Sequence, residues 1–134
     1  LASAELIADL ELLKYSTKTY NVNRLTMDIG CAAVDSDAYF KENCRKIMET
    51  REETARALGE LGFQVLPSQA NFLFITREGM DGRAFYLALK ERGVLVRHFD
   101  RPRIEQFVRV TVGTPAEMRA FLAAAADLIK GERT

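Results

Sequence analysis

The sequence predicts an α+β sandwich: N-terminal helices, one of them long, then a small, mainly antiparallel sheet of three or four strands with helices packed on one face. Three observations predict it. Phe107–Val112, FVRVTV, alternates strictly, with Val108, Val110 and Val112 on one face and Phe107, Arg109 and Thr111 on the other. Asn71–Ile75, NFLFI, is nearly all apolar, the mark of a central strand. Gly62 and Gly93 each stop an amphipathic helical run just ahead of an apolar, strand-like one.

In chain order, Leu6, Ile7, Leu10 and Leu13 fall at helical spacing with Glu5, Asp9 and Glu11 outside, which predicts a helix over 3–13. KYSTKTYN (14–21) is polar and β-branched and reads as a loop. Val22, Leu25, Ile29, Ala32 and Ala33 form a second helical stripe. Asp35-Ser36-Asp37 is a break that also offers caps. Residues 37–61 make the longest element, with Phe40, Cys44, Ile47, Met48, Ala55 and Leu58 on one side. Such a helix fits an interface inside a larger molecule as well as it fits a surface helix over a sheet. Gly62 stops it in a left-handed turn, with Phe63 placed to fold back.

Phe63–Leu66 reads as a short strand ended by Pro67-Ser68, and NFLFI follows. Asp81–Arg92 carries Phe85, Tyr86 and Leu89 as a helix. Val94–Arg97 is predicted as a strand that Arg97 ends, and Phe107–Val112 as the next. Thr114-Pro115-Ala116-Glu117 is a capping box with proline at the first helical position. Met118, Phe121, Leu122, Ala125, Leu128 and Ile129 give the last helix its apolar stripe, and Gly131 closes it.

The 134 residues suffice for one domain with a buried core, and 48% apolar with 28% charged residues describe a soluble globular chain. Nineteen basic residues against nineteen acidic ones leave no basic footprint for nucleic acid or an anionic membrane surface. No apolar run reaches spanning length and no secretory signal opens the chain, which fits a cytoplasmic protein. The opening LASAELIADL starts without Met inside helical periodicity, and reads as part of something longer. Cys31 and Cys44, with one histidine in the chain, do not make a metal site; they read as buried thiols in a reducing compartment.

A search for catalytic residues finds none. His98 follows Arg97 without an acid partner in sequence and reads as a surface histidine. Ser16 and Ser68 lack a nucleophile elbow, and no phosphate-binding glycine loop is present. Lys14 and Lys18 lie in the polar KYSTKTYN run, whereas a Schiff-base lysine needs desolvation or a cationic neighbour. What remains is Arg97 and Arg109, each on a predicted strand. Two guanidiniums on rigid backbone offer planar donor forks to a carboxylate or phosphate. Spacing alone favours the plainer reading, an arginine solvated on the polar face of its strand.

PSQANFLFI (67–75), LKERGVLVRHF (89–99), FVRVTVGTPAE (107–117) and KTYNVNRL (18–25) resemble the C-terminal part of the histidinol-phosphate aminotransferase family, among the fold-type I enzymes that use pyridoxal 5′-phosphate. The resemblance implies a large-domain tail and interdomain loop at 1–35 and a C-terminal small domain at 36–134. It implies that Arg109 grips the substrate's phosphate or α-carboxylate and that Arg97 lines the same pocket. It implies that Asn71 packs beside them, and that Tyr20 and Asn21 lie near a dimer interface at the edge of the partner's active site. By that resemblance the partners are a phosphorylated or carboxylated amine substrate, a large domain and a second copy in a homodimer. The family's Schiff-base lysine, pyridine-nitrogen aspartate and cofactor cradle match no residue here, so pyridoxal phosphate belongs to the parent enzyme and this chain alone is expected to be inactive. Threonine-phosphate decarboxylase or an aromatic aminotransferase would use the same scaffold. A non-catalytic domain that binds an anion or a protein remains the reading from another class.

Overall fold

Strict alternation in FVRVTV builds the sheet around one strand. The computed structural model describes residues 2–17 and 19–131, in the order α1 (Ala4–Thr17), α2 (Arg24–Asp35), α3 (Asp37–Glu60), β1 (Gln64–Val65), β2 (Phe72–Thr76), α4 (Gly82–Glu91), β3 (Arg97–His98), β4 (Val108–Thr111) and α5 (Pro115–Gly131). Two units meet between Phe40 and Lys41, inside α3.

In the second unit the strand order is β1-β2-β4-β3, antiparallel throughout. β4 sets Val110 opposite Leu73 and Val108 opposite Ile75. Directly opposed residues share a face, so these four form one apolar floor. Leu58, Phe85, Leu89, Phe121, Ala125 and Ile129 from α3, α4 and α5 complete the buried cluster on it. All three helices thus cover one face. The opposite face carries Phe72, Phe74, Arg109 and Thr111.

Local chemistry fixes the helix ends. At the end of α3 the Phe63 N–H donates to the Leu58 carbonyl (3.0 Å) and the Gly62 N–H to that of Gly59 (2.9 Å). That crossed pair requires a left-handed residue, and Gly62 supplies it at φ 85°. Phe63 then folds back into the core against Phe85, ring centroids 5.6 Å apart. Asp81 caps α4 by accepting from the Arg83 and Ala84 N–H groups at 2.8 and 3.0 Å. Thr114 and Glu117 cap α5 reciprocally, as the sequence predicts.

Four expectations change. The run expected to be a loop from Lys14 is helical through Thr17, and there Ser16 Oγ and Thr17 Oγ1 each donate at 2.6 Å to carbonyls one turn back, those of Leu12 and Leu13, so neither hydroxyl competes for the backbone from a non-helical turn; Lys18 lies outside the described residues. On α3 the buried stripe is Thr50, Thr54 and Leu58, with Phe40 63% exposed. Thr54 tolerates burial because its hydroxyl donates to the Thr50 carbonyl at 2.7 Å. Cys31 is exposed and Cys44 half-buried, because α2 buries none of its residues and Cys44 precedes the buried stripe of α3.

The fourth change concerns β3, which begins at Arg97 instead of ending there. Val94 is held to the end of α4 by its N–H, which donates to the Leu89 carbonyl at 3.0 Å. Val94–Val96 diverges from β4, leaving a cavity of about 380 Å³ lined by Val94, Val96, Val110, Met118 and Phe121.

In the unit ending at Phe40, Asn23 caps α2 by accepting from the Thr26 N–H at 2.9 Å. Neither α1 nor α2 buries a residue. Among the described residues no helix is long and apolar enough to cross a membrane.

Candidate anion-binding site

β3 and β4 pair with Arg97 directly opposite Arg109. Antiparallel partners project to the same side, so both guanidiniums rise from the helix-free face. β4 can display Arg109 rigidly because Val108 and Val110, with Val112 just past its end, are buried beneath. Arg97 is exposed and Arg109 half-buried.

Aromatic rings surround the pair. The Arg109 guanidinium carbon lies 5.3 Å from the Phe72 ring centroid and 5.7 Å from that of Phe99. The Arg97 guanidinium carbon lies 5.4 Å from the same Phe99 ring. Phe74 continues the platform, stacked on Phe107 at 4.8 Å and edge-on to Phe99 at 6.4 Å. Such contacts attract a cation through the negative ring face. A guanidinium carries five N–H donors, so a ring contact of this kind still leaves donors to bond an acceptor.

Arg109 Nε is buried without a hydrogen-bond partner. A buried unpaired donor costs about 1–3 kcal/mol, so an incoming acceptor is correspondingly favoured. Among the described residues neither Arg97 nor Arg109 has a carboxylate partner. Two adjacent cations without a counter-ion repel, and an anion between them removes that repulsion. Chemically, the arrangement can hold a carboxylate or phosphate by charge-assisted, forked bonds.

Of the other residues singled out in the sequence, Asn71 is exposed just ahead of β2, where its carbonyl accepts from the Val112 N–H at 2.8 Å and extends the β2–β4 ladder. Tyr20 and Asn21 belong to the other unit, where Tyr20 is 89% exposed. His98 departs from the surface reading. It is half-buried, its ring is stacked on Tyr86 with centroids 6.4 Å apart, and its Nε2 lies 2.7 Å from the Glu105 carbonyl oxygen. Sitting one residue after Arg97, it projects to the opposite, helix-covered side of the sheet.

Sequence reasoning gave the aromatic platform no role. Phe72 and Phe74 were findable, since they alternate with Leu73 and Ile75 and so fall on the arginine side. Phe99 lies in an irregular connection and carries no periodic signal.

The family described as aminotransferase class I and II matches residues 2–124. Histidinol-phosphate aminotransferase of Chromohalobacter salexigens is 44% identical over 124 residues, covering 92% of this chain and 35% of that protein. The protein of the same name from Acinetobacter baumannii (strain AYE) is 45% identical over 114 residues, covering 85% of this chain and 32% of its own length. Histidinol-phosphate aminotransferase from Sinorhizobium meliloti, solved in complex with pyridoxal-5′-phosphate, matches with a TM-score of 0.75 at 25% identity, covering 89% of this chain and 34% of that one. The chain spans about a third of the length of the curated relatives it matches.

Proposed function

The chain belongs to the class I and II aminotransferases, and from there we propose that it is the C-terminal part of a histidinol-phosphate aminotransferase whose substrate is gripped at its anionic end by Arg109 and Arg97. One observation carries the proposal: two opposed arginines rise from the same open face, and the more buried one has an unpaired Nε. In this reading the forked contacts fix the phosphate of histidinol phosphate in one half-reaction and a carboxylate of glutamate in the other. Fixing one end of the substrate restricts where its amine can lie, and such restriction lowers the barrier by removing orientational freedom.

Pyridoxal phosphate, implied by the family, supplies an electron sink for amino transfer when bound. The described residues do not fit it. Lys14, Lys41, Lys46, Lys90 and Lys130 are all exposed, whereas a Schiff-base lysine needs desolvation or a cationic neighbour. We therefore assign the cofactor's ligands to the large domain of the parent enzyme and no catalytic residue to this chain. Residues 1–35 then form the tail of that large domain and the interdomain loop, with 36–134 the small domain. The exposed Leu6, Leu10, Leu25 and Ile29 dock on the rest of the large domain, and Tyr20 and Asn21 face the second copy of a homodimer.

Arg109→Ala in the complete enzyme is expected to lower kcat/KM for histidinol phosphate by about 10²-fold, the scale of a lost charge-assisted pair. Arg109→Lys is expected to recover little, since an ammonium cannot form the fork. Steady-state kinetics measure both, and an unchanged kcat/KM in Arg109→Ala removes the arginine from the site.

A further inference from the structure

Phe99 lies in no strand, yet both arginines of the proposed site rest on its ring. It is the first residue of the connection between β3 and β4, and that connection is held at several points. On its helix-covered side His98 Nε2 meets the Glu105 carbonyl at 2.7 Å, with the imidazole stacked on Tyr86 of α4. Toward its far end, the hydroxyl of buried Thr76 donates to the Gln106 carbonyl at 2.9 Å. Gly82, at the start of α4, lets the backbone of Glu105 and Gln106 approach so closely that a Cβ there would clash with the Glu105 carbonyl oxygen. Within the connection, the Arg101 N–H donates to the Phe99 carbonyl at 2.9 Å and the Phe107 N–H to that of Ile104 at 3.0 Å.

We propose that Phe99 is a positioning residue for anion recognition: its ring, anchored through this braced connection, holds the Arg97 and Arg109 guanidiniums as a converging pair. The inference rests on the anion-binding role of those two arginines. An arginine side chain has several rotatable bonds, and Arg97 is exposed on a strand of two residues. Nothing in that strand limits where its guanidinium travels. The Phe99 ring face supplies the restraint, because a cation is attracted to it while N–H donors are still left for an anion. Arg109 has a second ring in Phe72, so loss of Phe99 should affect Arg97 more. The ring thereby acts on the substrate through the arginines and need not touch it.

The test compares Phe99→Leu, Phe99→Met and Phe99→Trp with Arg109→Ala in the complete enzyme, using histidinol phosphate and the unphosphorylated amine histidinol. Phe99→Leu and Phe99→Met keep apolar bulk without a π face, and either can serve if the other misfolds. Each is expected to reduce the preference for the phosphorylated over the unphosphorylated amine about tenfold, through KM with little change in kcat. That is the scale of a lost partly desolvated cation–π contact. Phe99→Trp is expected to retain the preference within about threefold, because its ring face is the stronger cation binder. Equal losses on both amines, or a preference unaltered in Phe99→Leu and Phe99→Met, overturn the role of Phe99. If Arg109→Ala also leaves the preference unaltered, the anion-binding reading fails with it; if Arg109→Ala abolishes the preference, that reading stands without Phe99. A readout independent of turnover is the Arg109 Nε–Hε resonance of this chain, which ring currents from Phe72 and Phe99 should displace. Phe99→Leu is expected to move that resonance toward the position of an exposed arginine. No movement overturns the placement of the ring.

Discussion

Glu117 illustrates how much one carboxylate can do at a helix start. Its Oε2 accepts from the Thr114 N–H at 2.7 Å and from the Thr114 hydroxyl at 2.8 Å. Both bonds favour the charged form and hold the carboxyl below the ordinary glutamate range, the backbone bond foremost. A folded-state value lower than the unfolded one means stability that is present above the ordinary glutamate value, about 4.3, and lost as pH falls through the depressed one. Glu117→Gln is therefore expected to flatten the acid limb of a plot of Tm against pH while changing little once the pH lies below the depressed value, where both proteins are uncharged at this site. Thermal melts across that range check it, and parallel acid limbs contradict it. This cap was legible because its four letters, Thr-Pro-Ala-Glu, are neighbours in sequence. Arg97 and Arg109 were legible as two strand arginines suited to one anion, while their direct opposition across the ladder comes from strand register alone. Phe99 was not legible at all: its role depends on a connection whose path is set by contacts to α4 and β2.

Elements were readable where their signals were local and misread where tertiary contacts decided. The ends of α3 and α4 follow from glycines that close them, and the interior of β2 from an unbroken apolar run. The extent of β3 did not follow. Val94, Leu95 and Val96 have strand propensity, yet the bond from Val94 to the end of α4 draws the segment off β4, leaving Leu95 75% exposed. The start of α4 offers a sharper test of local against tertiary effects. Helix propensity favours alanine over glycine at position 82 by about 1 kcal/mol at most. A Cβ there, however, would also sit 2.9 Å from the Gln106 carbonyl carbon, and the obstruction is backbone, with no rotamer to relieve it. Overpacking of this kind costs about 1–3 kcal/mol, so the steric effect wins. Gly82→Ala is expected to lower the midpoint of urea unfolding, and a gain in stability would show that the connection yields easily. The same substitution pushes on the strap that holds Phe99, tying the stability of α4 to the site.

At the scale of the chain, the α+β class was readable because alternation, caps and stops all pointed one way. The break read at Asp35–Asp37 is where α2 gives way to α3, and α3 then runs unbroken past Phe40 and Lys41, where contacts divide the chain into two units. The two units also differ in what holds them. The second has a continuous core in which Leu58, Ile75, Leu89, Val108 and Ala125 are fully buried. In the first, α1 and α2 have 14 and 12 residues and bury none of them. Helices of that length are marginal in water unless an apolar face is packed, since nucleation is costly and propensity adds little. Amide exchange should therefore split along the chain. Residues 4–35 of this chain alone are expected to exchange close to unprotected rates, while β2, β4 and α5 exchange only through global opening. In the complete enzyme the amides of α1 and α2 are expected to slow by orders of magnitude, because the docking proposed for Leu6, Leu10, Leu25 and Ile29 supplies the missing packing. Hydrogen exchange read by mass spectrometry distinguishes the cases. Strong protection of α1 and α2 in this chain alone would mean that their apolar faces are already satisfied, and would remove the reason to seat them on a large domain. Fast exchange in both forms would leave those faces without a partner and count against the assignment of residues 1–35.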